Sequence, residues 1–228
     1  MTNPPSPNGQ LENRRPIKSR ASGWAQALAR MLARAGASPN MISAASVAFA
    51  ALGGALMALA GTSSSGERAA ELIAAAACIQ LRLICNLIDG MVAVEFKRGS
   101  TSGPIWNELP DRFSDTLFLA GAGAFAYGSS HSAIGVSLGW IAAVLAVTTA
   151  YVRELGRGLD FPADFSGPMA KPQRMAALTV ICLLSVAEPL WNGHGEIVLT
   201  GLMLIVIGTG LTVARRTQAL AKGLAHRG

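Results

Sequence analysis

Four side chains stand out in a chain that otherwise avoids charge: Asn86, Asp89, Asp111 and Asp115. Asn86 and Asp89 are three residues apart and Asp111 and Asp115 four, so on helices each pair shares one face. All four fall inside or at the edge of apolar stretches, where an uncompensated carboxylate is costly and a divalent cation is the natural compensation. Oxygen donors select hard ions such as Mg²⁺ or Mn²⁺, and Mg²⁺ keeps substrate phosphates in its shell. The cluster therefore points to a phosphate-bearing substrate held through a hard metal ion at a membrane boundary. Gly90, beside Asp89, leaves room for a ligand against the backbone; taken alone, a glycine there serves helix packing equally well.

The elements that must position these residues are read from composition. Of 228 residues, 51% are hydrophobic and 14% charged, with a mean hydropathy of +0.39. The apolar residues fall in blocks at 41–60, 70–94, 113–128, 132–152, 175–190 and 196–214. A bilayer core takes about 20 apolar residues per helix, so the blocks predict an all-α membrane domain of six transmembrane helices, with the third and fifth spans short. The net charge is +6. A basic protein can bind nucleic acid, but the positions argue for topology instead. Arg14, Arg15, Lys18, Arg20, Arg30 and Arg34 precede the first span, and Lys97 and Arg98 follow the second. Arg153, Arg157, Lys171 and Arg174 lie between the fourth and fifth, and Arg215, Arg216, Lys222 and Arg227 follow the sixth. The other connections carry almost nothing, Arg68 excepted. Positive charge retained on one side places both termini in the cytoplasm, a pattern that five or seven spans would break, and the basic side attracts anionic lipid.

Residues 1–20 are polar, Pro-rich and basic and read as a disordered tail, not a cleavable signal. Residues 21–36 predict an amphipathic helix, with Trp24, Leu28, Met31 and Leu32 on one face and Arg30 and Arg34 off it; it lies in the membrane interface, against the protein's own cytoplasmic face, or both. Residues 37–216 form the six-helix domain, its first helix capped by Asn40 or Ser43, and 217–228 a cytoplasmic tail. The third span begins near Asn107 or Pro110, and the breaker-rich connection 153–173 cannot be one helix. Cys78, Cys85 and Cys182 lie within apolar spans without metal-ligand spacing, and His131, His194 and His226 are scattered.

With the second span antiparallel to the third, Arg82, Asn86, Asp89 and Ala93 lie along one face of the second and Asp111 and Asp115 along one face of the third. The stretch 86–115, NLIDGMVAVEFKRGSTSGPIWNELPDRFSD, resembles the signature of the CDP-alcohol phosphotransferases (CDP-alcohol phosphatidyltransferases), DxxDGxxAR followed after a spacer by GxxxDxxxD. Asn86, Asp89, Gly90, Ala93, Asp111 and Asp115 match in register. SPNMIS before the first span and GPMAKPQRMA before the fifth are similar to family features, and the likeness covers most of residues 37–215. Three positions depart: Asn86 stands for Asp, Val94 for Arg and Asn107 for Gly. Asn86 still offers a carbonyl oxygen without charge, Lys97 or Arg98 can replace the missing cation, and Asn107 crowds the nucleotide.

The resemblance implies transfer of a phosphatidyl group from a CDP-linked lipid, usually CDP-diacylglycerol, to an acceptor alcohol, with release of CMP, in phospholipid biosynthesis. It implies Mg²⁺ or Mn²⁺, with Asp89 and Asp111 as main ligands of one or two ions, Asn86 and Asp115 completing the set, and Asp115 as general base. It implies nucleotide contacts at Gly90, Ala93 and Asn107, a homodimer, and a bacterial plasma membrane with the site facing the cytoplasm. Residue by residue, plainer roles compete: Asp111 can cap a helix or pair with Arg112 or Arg82, Arg82 pairs with an acid, and Glu95 and Glu108 face headgroups or cytosol. Arg153, Arg157, Lys171 and Arg174 suit an anionic acceptor or the lipid phosphate, and serve equally as membrane anchors. The cations favour a phosphorylated alcohol, as in phosphatidylglycerophosphate synthesis. The departures keep a second reading open, an inactive CDP-lipid-binding or regulatory protein. An ion pathway would spread its acids across the bilayer rather than gather them at one boundary.

Overall fold

The structure, a computed structural model, describes residues 22–96 and 98–227; the 1–20 tail and Lys97 fall outside them. The described chain is helical: α1 Gly23–Arg34, α2 Pro39–Ala60, α3 Ser65–Glu95, α4 Gly103–Ser130, α5 Ala133–Gly158, α6 Lys171–Ser185 and α7 Glu196–Ala225, with a short 3₁₀ turn Glu188–Trp191 before α7. A helix stands at each of the six apolar blocks. By length and composition, α2, α3, α5 and α7 can cross a membrane. α4 is diluted by glycine, serine and charge, and α6, with 15 residues, reaches only about 22 Å at 1.5 Å per residue.

α2 packs along both α3 and α4; α5 packs on α4, α7 on α5, and α6 on α3 and α7. Small residues allow the closest approaches, as between helices that no hydrophobic gradient drives together. A Cβ added at Gly121 would lie 2.4 Å from the Gly54 carbonyl oxygen, and one at Gly139 2.7 Å from that of Leu119. Around these crossings the core gathers Met57, Leu72, Ile79, Phe118, Phe125, Met175 and Leu178. Large apolar side chains such as Val144, Leu204 and Ile207 point outward. A second cluster seats α1 on the domain through Ala25, Ala29 and Ala33 against Ile42, Ile88, Met91 and Val92. Trp24 and Met31 are exposed, while Leu28 and Leu32 pack partly buried against the cluster, so the alanine stripe, flanked by these two leucines, makes the contact.

Several local expectations shift. Ser38 caps α2, its hydroxyl accepting from the Met41 N–H at 3.2 Å, with Pro39 in the first turn; Asn40 and Ser43 are left for other work. α4 begins at Gly103, before Asn107 and Pro110, because Pro104 supplies its first turn and Pro110 is accommodated inside, with the loss of one i→i−4 bond. α7 runs through residue 216 to Ala225, so the last residues continue the helix. Arg68 is not a free cation on the sparse side: it pairs with the buried Glu188 and lies 5.0 Å from the Phe125 ring centroid.

Candidate active site

The sequence places α3 and α4 side by side; in the structure they make little direct backbone contact, and α2 packs against both. Polar side chains fill the space between them. Asn86 and Asp89 come from the last third of α3, Asp111 and Asp115 from the third and fourth turns of α4. Lys171 and Arg174 enter from the first turn of α6. Asp111, Asp115, Arg82 and Arg174 are all buried.

The Asn86 amide donates to Oδ1 of Asp111 at 2.8 Å, and its own Oδ1 accepts from Lys171 Nζ at 3.2 Å. Lys171 also reaches Oδ2 of Asp111 at 2.5 Å. Arg82 Nη2 lies 3.0 Å from Oδ1 of Asp111 and 3.3 Å from Oδ1 of Asp115. Arg174 Nη2 holds the other Asp115 oxygen at 2.9 Å, while its Nη1 donates to the Met169 carbonyl at 3.0 Å. Buried charges must be paired in this way, and removing one partner of such a pair typically destabilises by about 3–5 kcal/mol. Asp89 differs: its Oδ2 accepts from the Ser43 hydroxyl at 2.7 Å, and no ion pair reaches it among the described residues.

A cleft opens beside Asp89, lined also by Asn40, Ser43, Gly90, Ala93, Trp106 and Asn107. Gly90, Ala93 and Asn107 thus meet on one surface, as the signature register anticipates, and Asp89 is the cluster carboxylate that lines it. Asn40 reaches Ser100 across its mouth at 3.5 Å. Val94 is exposed and does not line the cleft; Arg98 is exposed as well.

The four cations read from sequence divide into two sets. Lys171 and Arg174 turn into the carboxylates, whereas Arg153 pairs with Glu108 at 2.5 Å and Glu154 at 2.9 Å, and Arg157 with Glu154 at 2.9 Å. Glu108 is therefore not simply exposed to headgroups or cytosol, since it also holds Arg112 at 2.7 Å. Asp111 pairs with Arg82 rather than with Arg112. Sequence reasoning misses Ser43, Asn40 and Trp106 as site residues. Their signal is faint, a serine and an asparagine in a capping segment and an aromatic near a helix start.

The donor set tests the fit of a metal. Every ligand candidate is a hard oxygen, which suits Mg²⁺ or Mn²⁺. As placed, no three carboxylate, cysteine or histidine side chains converge among the described residues, because cations already hold Asp111 and Asp115. The residues fit a hard ion at Asp89, where the cleft is open.

The comparisons give the family and the fold. A family model described as CDP-alcohol phosphatidyltransferase matches residues 37–214. No curated protein sequence matches the chain. The fold is similar to that of the Mycobacterium tuberculosis phosphatidylinositol phosphate synthase with CDP-DAG bound, at a TM-score of 0.72 and 17% identity over 87% of this chain and 94% of that one. The same enzyme in complex with manganese and citrate gives 0.70 and 18% over 86% and 88%. A family match spanning six of the seven helices, on a chain whose Asp89, Gly90, Ala93 and Asn107 meet at one cleft, places this protein in the CDP-alcohol phosphatidyltransferase family.

Proposed function

We propose that this chain transfers a substituted phosphate group from a CDP-linked lipid, with CDP-diacylglycerol the first candidate, to an acceptor alcohol and releases CMP. The observation that carries the reading is the meeting of Asp89, Gly90, Ala93 and Asn107 in one cleft, next to Asp111 and Asp115. A related fold holds CDP-DAG and another structure of it holds manganese, which supports a CDP-lipid and a Mg²⁺ or Mn²⁺ requirement here.

Asp89, with Asp111 and the Asn86 carbonyl oxygen, would hold the metal ion, which when bound neutralises the diphosphate and the CMP leaving group. Ser43 orients Asp89. Lys171 and Arg174 turn from their carboxylates toward the incoming phosphates, a task that the planar guanidinium of Arg174 suits. Oδ2 of Asp115, released by Arg174, takes the proton of the acceptor hydroxyl as its oxygen attacks the β-phosphorus. The nucleotide lies along the Gly90 and Ala93 surface, with Asn107 narrowing it.

The acceptor is proposed to be a phosphorylated alcohol, first glycerol 3-phosphate and second an inositol phosphate, because Lys171 and Arg174 stand with Arg82 at the carboxylate cluster and Arg153 and Arg157 lie on the preceding helix. We read α4 and α6 as spans alongside the other four, with the site at the cytoplasmic boundary of a bacterial plasma membrane, α1 at the interface, and two chains forming the working unit. The basic residues on one side and the exposed Trp24 and Met31 of α1 support that placement.

The test is CMP release from CDP-diacylglycerol by purified protein with Mn²⁺ or Mg²⁺ across a panel of alcohols, alongside Asp115→Asn. Release that needs one acceptor, is lost with EDTA and vanishes in the variant establishes the reaction and the headgroup. CDP-lipid binding with no release for any acceptor moves the chain to the binding-protein reading. Full activity of Asp115→Asn removes Asp115 as base.

A further inference from the structure

We propose that Arg82 is a built-in cation standing between Asp111 and Asp115 and closing that place to a divalent ion, so that each chain takes up a single Mn²⁺ or Mg²⁺, seated at Asp89. This rests on the metal-dependent reading above and concerns how many ions that site takes.

Arg82 lies one helical turn before Asn86 on the same face of α3, deeper from the cleft. Its side chain is 0% exposed. One nitrogen, Nη2, serves both carboxylates, at 3.0 and 3.3 Å, while Nε and Nη1 have no hydrogen-bond partner among the described residues. The guanidinium is therefore held there by Asp111 and Asp115. Withdrawing it to admit a metal ion would strand a charge among apolar side chains. Lys171 stands differently. Its side chain is 22% exposed, its ammonium sits on a flexible stem at the start of α6, and it can turn to a phosphate.

Asn86 closes the same position chemically. Its amide nitrogen, a donor that binds no cation, faces Oδ1 of Asp111. An aspartate there would offer two ligand oxygens and a charge. Asn86 departs from the signature by one negative charge, and Arg82, four residues before it, sets one fixed positive charge beside the same two carboxylates.

The charge count agrees. Asp89, Asp111 and Asp115 bring three negative charges and Arg82, Lys171 and Arg174, which pair with the last two, three positive ones, so the cluster is neutral before any ion enters. One divalent ion then matches the two negative charges of a CDP-lipid diphosphate. A second ion would leave two positive charges uncompensated at low dielectric, where like charges repel strongly. Among the described carboxylates of the cluster, Asp89 both lines the cleft and lacks an ion-pair partner.

The experiment counts Mn²⁺ bound to the purified full-length chain in lipid nanodiscs, by electron paramagnetic resonance of free and bound ion, without substrate. The expected result is one equivalent per chain with the six-line signal of an isolated ion, and still one in Asn86→Asp. In Asn86→Asp combined with Arg82→Met, two equivalents and an exchange-broadened signal are expected. Two equivalents in the unmodified chain, none at all, or a second equivalent in Asn86→Asp alone each overturns the proposal. So does a folded double variant that takes up only one. The unmodified chain and Asn86→Asp decide the matter if the double variant does not fold. Because no turnover is read, one bound ion with no CMP release for any acceptor sinks the transferase reading and leaves this one standing.

Discussion

Asn86 donates its amide hydrogen to Oδ1 of Asp111 at 2.8 Å, across the gap between α3 and α4. The residue that replaces the first signature carboxylate has become a bridge to the third. With aspartate at 86 that bond is lost and the two carboxylates repel, with the Lys171 ammonium the one cation among the described residues that contacts both positions.

Asn86→Asp should therefore make the fold depend on metal. Without divalent ions the variant is expected to lose about 1–3 kcal/mol, the loss of a partly buried hydrogen bond made worse by like charge; Mn²⁺ should restore most of it. Thermal unfolding in detergent with EDTA and with Mn²⁺ reads this. Equal stability of variant and parent in EDTA would contradict it.

Lys171→Met should separate two quantities that an ordinary active-site loss moves together. The ammonium contacts both Asn86 Oδ1 and Asp111 Oδ2, so in the proposed mechanism it would compete with an incoming ion while serving the phosphates. Mn²⁺ affinity is expected to rise severalfold, and CMP release to fall by about 10-fold or more, the scale of losing one charge-assisted phosphate contact. Affinity unchanged or weakened in the variant would show that Lys171 does not compete for the ion's place.

Ser43→Ala removes the side-chain hydrogen bond that orients Asp89, at 2.7 Å. Bonds to charged groups contribute about 1.5–3 kcal/mol, so Mn²⁺ affinity should weaken by about 10-fold while the fold persists. Ser43→Thr, which keeps the hydroxyl, should recover most of it. An isothermal titration of both variants with Mn²⁺ decides whether Ser43 positions the ligand or merely packs.

Gly121→Val tests the frame that carries Asp111 and Asp115. The added Cβ would meet backbone atoms of Gly54 at 2.4–2.8 Å, which cannot turn aside as a side chain can. Overpacking of this kind typically destabilises by about 1–3 kcal/mol or more, and separation of α2 from α4 should displace the site. Lowered thermal stability together with lost CMP release is expected; a variant as stable and active as the parent would mean that the crossing has slack.

Which residues share a face is legible in the chain alone, because helical periodicity is local geometry. Asn86 with Asp89, Asp111 with Asp115, and the placement of Gly90, Ala93 and Asn107 along the signature need only the 3.6-residue repeat and a family pattern. The apolar blocks locate the six long helices for the same reason. Boundaries slip where a competing local signal wins: Pro104 opens α4 before Pro110 can, and Ser38 caps α2 ahead of Asn40 and Ser43. Which oxygen meets which cation depends instead on the rotation and depth of helices distant in sequence. Those are set by the glycine contacts of Gly54 with Gly121 and by α2 lying against both α3 and α4, a packing that no periodicity encodes. Hence Ser43 is free to hold Asp89, Arg82 comes to lie between Asp111 and Asp115, and Arg153 is bound to Glu108 instead of joining Lys171. The chain by itself determined which carboxylates would share a helix face; only tertiary packing decided which of them would be left without a cation partner, since buried charges take whichever partners the neighbouring helices bring within reach.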